Sequence, residues 1–269
     1  MKKIGIALGS GGGRGLAHIG VIKALVKNEI PIDYISGTSI GSVVGGLYAA
    51  LGDIGKVEKI VEDINFRKIL KIILKRNPGE TGILNRKFNL FFKDIIGDVK
   101  IEELKIPYCA VGSNLNTGSV EYIKNGKLID AMRASTAIPL IRRPVVLTDE
   151  YIFDGGLVNP VPTSIVREMG AEIVVGVSLY GGLFPLNHKK RMTLLRAGVL
   201  SRFITLKKLS EIDMKTADIK IDLQVPDEDY GIFSQFYKGK KLVDFGYEYA
   251  KKIIDDLDFG DISLNKSRK

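Results

Sequence analysis

The segment Gly37-Thr-Ser-Ile-Gly41 places a serine two residues from a glycine on each side. A nucleophilic hydroxyl at the top of a sheet needs this pattern. It must project from a sharp strand-to-helix turn, where side chains at the flanking positions would collide. Apolar residues precede the segment. A run of small residues follows it, suited to a helix whose N-terminus points at the site and favours negative charge there. A glycine-rich turn with an incidental serine is the competing reading, and the context favours Ser39 as nucleophile with Gly37 and Gly41 forming its elbow. A second glycine cluster, Gly9-Ser-Gly-Gly-Gly-Arg-Gly15, follows the first apolar run. It lacks the Lys-Ser/Thr pair of a phosphate-binding Walker loop, and no register in it supplies a dinucleotide fingerprint. Consecutive glycines can instead crowd their amides around a developing alkoxide, which makes Gly11, Gly12 and Gly13 candidates for an oxyanion hole. Arg14 reads as a brace for that loop.

A serine hydroxyl is a poor nucleophile until a base takes its proton. The chain has two histidines. His18 falls inside a predicted helix and reads as a packing residue. His188 lies among Lys189, Lys190 and Arg191, whose charge opposes the charge a base must gain. The order Ser39, Asp154, His188 does match that of an α/β-hydrolase triad, so a triad stays open as an alternative. Asp154, at the end of a predicted strand and before Gly155-Gly156, is the other candidate base. An ordinary turn aspartate competes evenly with that role.

The elements that must hold these residues alternate between strand and helix. Ile4–Leu8, about Ile32–Ser36, Tyr108–Gly112, Val120–Ile123, Ile173–Leu179 and Ile219–Val225 read as strands, with Val145–Leu147 and Tyr151–Phe153 as a hairpin. Helical patterns fill Leu16–Lys27, Ser39–Leu51, Asp53–Ile64, Leu84–Ile96, Leu128–Ala134, Pro162–Met169, about Lys189–Met214 and Gly239–Leu257. This alternation predicts an α/β fold with a mainly parallel sheet. Residues 66–92 interrupt it and form a candidate cap insertion within a single domain over residues 1–257. Residues 258–269 read as a flexible tail.

Three motifs together resemble one family. The opening Ile4-Gly-Ile-Ala-Leu-Gly-Ser-Gly-Gly-Gly-Arg-Gly-Leu-Ala-His-Ile-Gly-Val21, the elbow Ser36-Gly-Thr-Ser-Ile-Gly-Ser42 and the segment Tyr151-Ile-Phe-Asp-Gly-Gly-Leu-Val-Asn-Pro-Val-Pro162 are similar to those of bacterial patatin-like phospholipases. Ala134-Ser-Thr-Ala-Ile-Pro139 matches a stretch usual before the third. The resemblance spans roughly residues 2 to 180. It implies a three-layer α/β/α patatin-like fold and a Ser39–Asp154 dyad that hydrolyses lipid acyl esters through an acyl-enzyme. It also implies no histidine in catalysis and neither metal nor cofactor. Ser10 departs from the family pattern by replacing a glycine, which would strain the loop if that position needs positive φ.

Composition bounds the partners. With 40 Lys and Arg against 31 Asp and Glu, the net charge is +9, which favours anionic partners without choosing among them. No nucleic-acid signature accompanies it, so nucleic acid is not expected. A nucleotide- or phosphate-binding module using the Gly9–Gly15 loop is the rival from another class. Residues 66–76 carry five cations and no acid, and residues 187–210 carry seven and no acid. Basic amphipathic helices of this kind make peripheral contact with anionic membranes a candidate alongside a lipid or lysophospholipid substrate. One cysteine and two histidines are too few for a His/Cys zinc site. Cys109 reads as a buried core thiol. No apolar run is long enough for a signal peptide or a membrane span, and a cytoplasmic location is the default expectation.

Overall fold

The computed structural model describes residues 2–63, 81–139, 141–182, 192–225 and 239–257. Among them, eight strands form one sheet: β1 (Ile4–Leu8), β2 (Tyr34–Thr38), β3 (Tyr108–Asn114), β4 (Val120–Ile123), β5 (Val145–Leu147), β6 (Glu150–Asp154), β7 (Ile173–Ser178) and β8 (Ile219–Asp222). The order is β5-β6-β3-β2-β1-β7-β8, with β4 also paired to β3. The pairs β3/β2, β2/β1, β1/β7 and β7/β8 are parallel, whereas β4 and β6 run antiparallel to β3, and β5 antiparallel to β6.

The helices are α1 (Ala17–Lys27), α2 (Ile40–Leu51), α3 (Ile54–Asp63), α4 (Thr81–Ile96), α5 (Leu128–Ser135), α6 (Thr163–Glu168), α7 (Leu194–Asp213) and α8 (Gly239–Asp256). The two faces of the sheet follow from strand alternation. In β1, Ile4, Ile6 and Leu8 join the larger core with α1, α2, α3 and α8, while Ala7 faces Val161, Val166 and Met214 in a second core. The small residues on this second face let α6 approach closely. A Cβ on Gly5 would lie 2.1 Å from Val166 Cγ1. Each fully buried aliphatic side chain in these cores contributes roughly 1.5–3 kcal/mol.

Among the boundaries that differ from the sequence reading, two lie beside the candidate site. Strand β2 runs through Gly37 to Thr38, two residues beyond the expected end at Ser36, because Gly37 pairs in register with Leu8 and Ala110 instead of breaking the strand. Strand β6 starts at Glu150 and ends on Asp154 itself. Its hairpin closes through Thr148 and Asp149, whose φ values of 46° and 66° suit a tight primed turn. Most of the candidate cap and all of residues 258–269 lie outside the described residues. In α4, Phe88 and Phe92 are core residues.

Candidate active site

Strand β3 acts as the ruler that brings the two candidate catalytic residues together. Ala110 and Val111 pair with both β2 and β4, while Gly112 and Ser113 pair with both β4 and β6. Since one edge of a strand takes one partner at a time, β2 and β6 share the edge opposite β4 and meet head to head. Thr38 sits opposite Val111 and Asp154 opposite Gly112, the next residue along. Ser39 and Asp154 therefore leave their strands at adjacent points, although 115 positions separate them in the chain. Ser39 Oγ donates a 2.7 Å hydrogen bond to Asp154 Oδ2. The second carboxylate oxygen, Oδ1, accepts from Gly156 N at 2.8 Å.

The elbow is held by sterics and by hydrogen bonds. Ser39 has φ 55° and ψ −122°, a conformation costing on the order of 1–3 kcal/mol for a residue with a side chain. Both flanking glycines are required by close backbone approach: a Cβ on Gly37 would lie 2.4 Å from Gly41 O, and one on Gly41 would lie 2.1 Å from Leu8 O. Ser42 Oγ donates to Ser39 O at 2.6 Å. Ser39 N donates to Ser135 Oγ at 2.8 Å, and Ser135 Oγ donates to Val111 O at 2.6 Å. The amide of Asp154 donates to Ala137 O at 3.0 Å. One short segment, Ser135 to Ala137, thus fixes the backbone of both candidate residues. The sequence offered this segment only as a matching stretch, with no role attached.

The glycine loop lies across the same cleft. Gly9 N and Ser10 N are spent on Val177 O and Pro160 O. Beyond them a short helical turn spans Gly12–Leu16, and the leading amides of a helical turn have no partner within it. Gly11 and Gly12 line the cleft beside Ser39 and Asp154. Gly13 is buried and is not among the lining residues. Positive φ falls on Gly12, at 58°, and not on Ser10, so the serine does not strain the loop. Its Oγ instead shares a 2.8 Å hydrogen bond with Tyr180 Oη.

Arg14 is 3% exposed. Its Nε donates to Gly11 O, and its guanidinium sits over the rings of Tyr180 and Phe203. His18 Nε2 donates to Gly9 O at 2.7 Å from a fully buried site. Burial lowers its pKa to about 4, so the ring is neutral at pH 7 and serves the loop as a strut. His188 lies outside the described residues. Burial likewise makes the Cys109 thiol a poor acid, with its pKa pushed up to about 12.

The side chains of Ser39 and Asp154 are both buried beside a narrow cleft that is partly open to solvent. Ser39 is 6% and Asp154 1% exposed, and the free space beside them is about 20 Å³, little more than one water occupies. The roof is α7, which contributes Val199, Arg202, Phe203 and Leu206. Burial raises the pKa of Asp154. The charge of Arg202 and the hydrogen bonds from Ser39 and Gly156 oppose that rise.

A serine on a strained strand-to-helix turn, bonded to a buried aspartate before two glycines, points to one group of proteins. The family model for patatin-like phospholipases matches residues 6–167, and the chain belongs to that family. An uncharacterized NTE family protein of Mycobacterium tuberculosis is 39% identical over 180 residues, which cover 66% of this chain and 49% of that protein. Lysophospholipase NTE1 of Yarrowia lipolytica is 34% identical over 184 residues, covering 66% of this chain and 13% of the relative. Patatin-like phospholipase domain-containing protein 6 of Mus musculus is 26% identical over 303 residues, covering 99% of this chain and 22% of the relative. The chain thus spans half or less of the length of these relatives. The crystal structure of VipD from Legionella pneumophila has the same fold, with a TM-score of 0.54 at 14% identity over 95% of this chain and 67% of that one.

Proposed function

We propose that this protein hydrolyses acyl esters of lipids through a Ser39–Asp154 dyad. The observation that carries the reading is the 2.7 Å hydrogen bond from Ser39 Oγ to a buried carboxylate. Burial makes that carboxylate a stronger base than an exposed aspartate. Ser39 Oγ attacks the ester carbonyl carbon while its proton passes to Asp154. The tetrahedral adduct places its oxyanion near the amides of Gly11 and Gly12, which line the cleft, where each donor is worth roughly 2.7–4 kcal/mol. The adduct collapses, the bond to the alcohol breaks, and Asp154 gives the proton to the departing oxygen. Water then surrenders a proton to Asp154 and attacks the acyl-enzyme, releasing the fatty acid and restoring Ser39.

Fluorophosphonate labelling followed by mass spectrometry tests this reading. The expected result is a label on Ser39 that is lost in Ser39→Ala, with esterase activity in Asp154→Asn reduced by about 100-fold or more. A label on another residue, or full activity in either variant, would overturn it.

Access to lipid supports a membrane-facing role for α7. Leu194 at its start is 92% exposed, and Met192, Ile204 and Ile212 are exposed as well. The net charge of +9 adds attraction to an anionic surface. Cosedimentation with anionic vesicles, falling as salt is raised and absent with zwitterionic ones, is the expected outcome. Among the described residues no helix is long and apolar enough to cross a membrane.

A further inference from the structure

We propose that Arg202 is a specificity-determining residue whose guanidinium holds the phosphate of the substrate next to the scissile ester, so that phosphate-bearing lipids are preferred over neutral esters. This rests on the hydrolase reading of Ser39 and Asp154.

The composition of the cleft carries the inference. Asp154 is committed to Ser39 and Gly156. Ile138, Val199, Phe203 and Leu206 supply apolar surface for an acyl chain. Arg14 is turned to the loop backbone and the rings of Tyr180 and Phe203. Among the described residues, Arg202 is the cation that lines the cleft.

Arg202 is half-buried. The salt bridges among the described residues give it no carboxylate partner. The groups that feel its charge are Asp154 and Tyr180, both on the cleft. The guanidinium feels the Asp154 carboxylate but makes no ion pair with it among the described residues, and a phosphate would engage its planar fork with two parallel hydrogen bonds. In a glycerophospholipid the phosphate lies only a few bonds from the ester, so one molecule can present its carbonyl to Ser39 and its phosphate to α7. A neutral acylglycerol would bring no further anion to Arg202.

An effect of Arg202 on Asp154 alone would act equally on every ester, which separates the two roles experimentally. The measurement is kcat/KM for a lysophospholipid divided by kcat/KM for the monoacylglycerol of the same acyl chain, both in the same neutral detergent micelles. A fatty-acyl ester bearing a carboxylate in place of the phosphate provides a third arm. In Arg202→Gln the ratio is expected to fall about 10-fold or more. Arg202→Lys, which keeps the charge but loses the fork, is expected to recover part of it. The carboxylate arm is expected to fall less than the phosphate arm. A ratio within about 2-fold of wild type in both variants, with Ser39 still labelled by fluorophosphonate, would overturn the role of Arg202 alone. So would a larger loss on the carboxylate ester than on the phosphate. A wild-type chain that neither labels at Ser39 nor cleaves any of the three esters would overturn the hydrolase reading with it.

Discussion

At the scale of single residues, the site depends on side chains that hold the backbone beside Ser39 and Asp154. Ser135 is the clearest case. Its hydroxyl accepts from the Ser39 amide and donates to Val111 O, so removal strands two buried backbone groups. Ser135→Ala is expected to cost about 1–3 kcal/mol of stability, read as a lower urea midpoint. Activity should fall further than stability explains, because the strained serine loses a tether. The sharp turn at the candidate nucleophile was legible in the sequence, since only a few backbone shapes call for glycine at both Gly37 and Gly41. Asp154 was ambiguous without the family resemblance, because a turn aspartate before glycine looks the same. Ser135 lay in a matching stretch with no role attached, and Tyr180 and Arg202 carried no local signal, because their value lies in what a distant part of the chain brings against them.

At the scale of elements, close helix contact explains how the glycine loop is backed. Helices α1 and α8 cross where a Cβ on Gly20 would lie 2.0 Å from Val243 O, and one on Gly246 would lie 2.1 Å from Ala17 O. Two effects compete in Gly20→Ala. Helix propensity favours alanine by about 1 kcal/mol, whereas overpacking costs about 1–3 kcal/mol. The obstructing atom is backbone and cannot rotate away, so the clash is expected to win. Thermal unfolding should show a lower Tm for Gly20→Ala. The same substitution at Gly52, which has open space but φ 64°, should be milder because only local backbone strain opposes it. The sequence located both helices by their apolar spacing. The function of the glycines in them as contact points emerges only when α8, more than two hundred residues later, is folded back onto α1.

At the scale of the whole molecule, Asp213 at the C-terminal end of α7 ties the roof of the cleft to the loop that leads into α6 and to the start of α6. Asp213 Oδ2 accepts from Val161 N at 2.9 Å, and its carbonyl accepts from Thr163 Oγ1 at 2.6 Å. Burial raises its pKa to about 7, against the pull of the Val161 amide. Between the ordinary carboxylate value and about 7, the folded chain keeps a proton that the unfolded chain has released. Stability should therefore fall as pH rises through that window. In Asp213→Asn this part of the fall is expected to vanish, measured as Tm between pH 4 and pH 8. The residue types of the chain determined the alternation of strands and helices, the elbow at Ser39 and the glycine loop, because these depend on local periodicity and backbone sterics. Tertiary structure alone decided that β2 and β6 meet end to end on one edge of β3, and that α7 closes over the meeting point. Pairing register and helix docking are set by contacts between segments far apart in the chain, which local spacing does not encode.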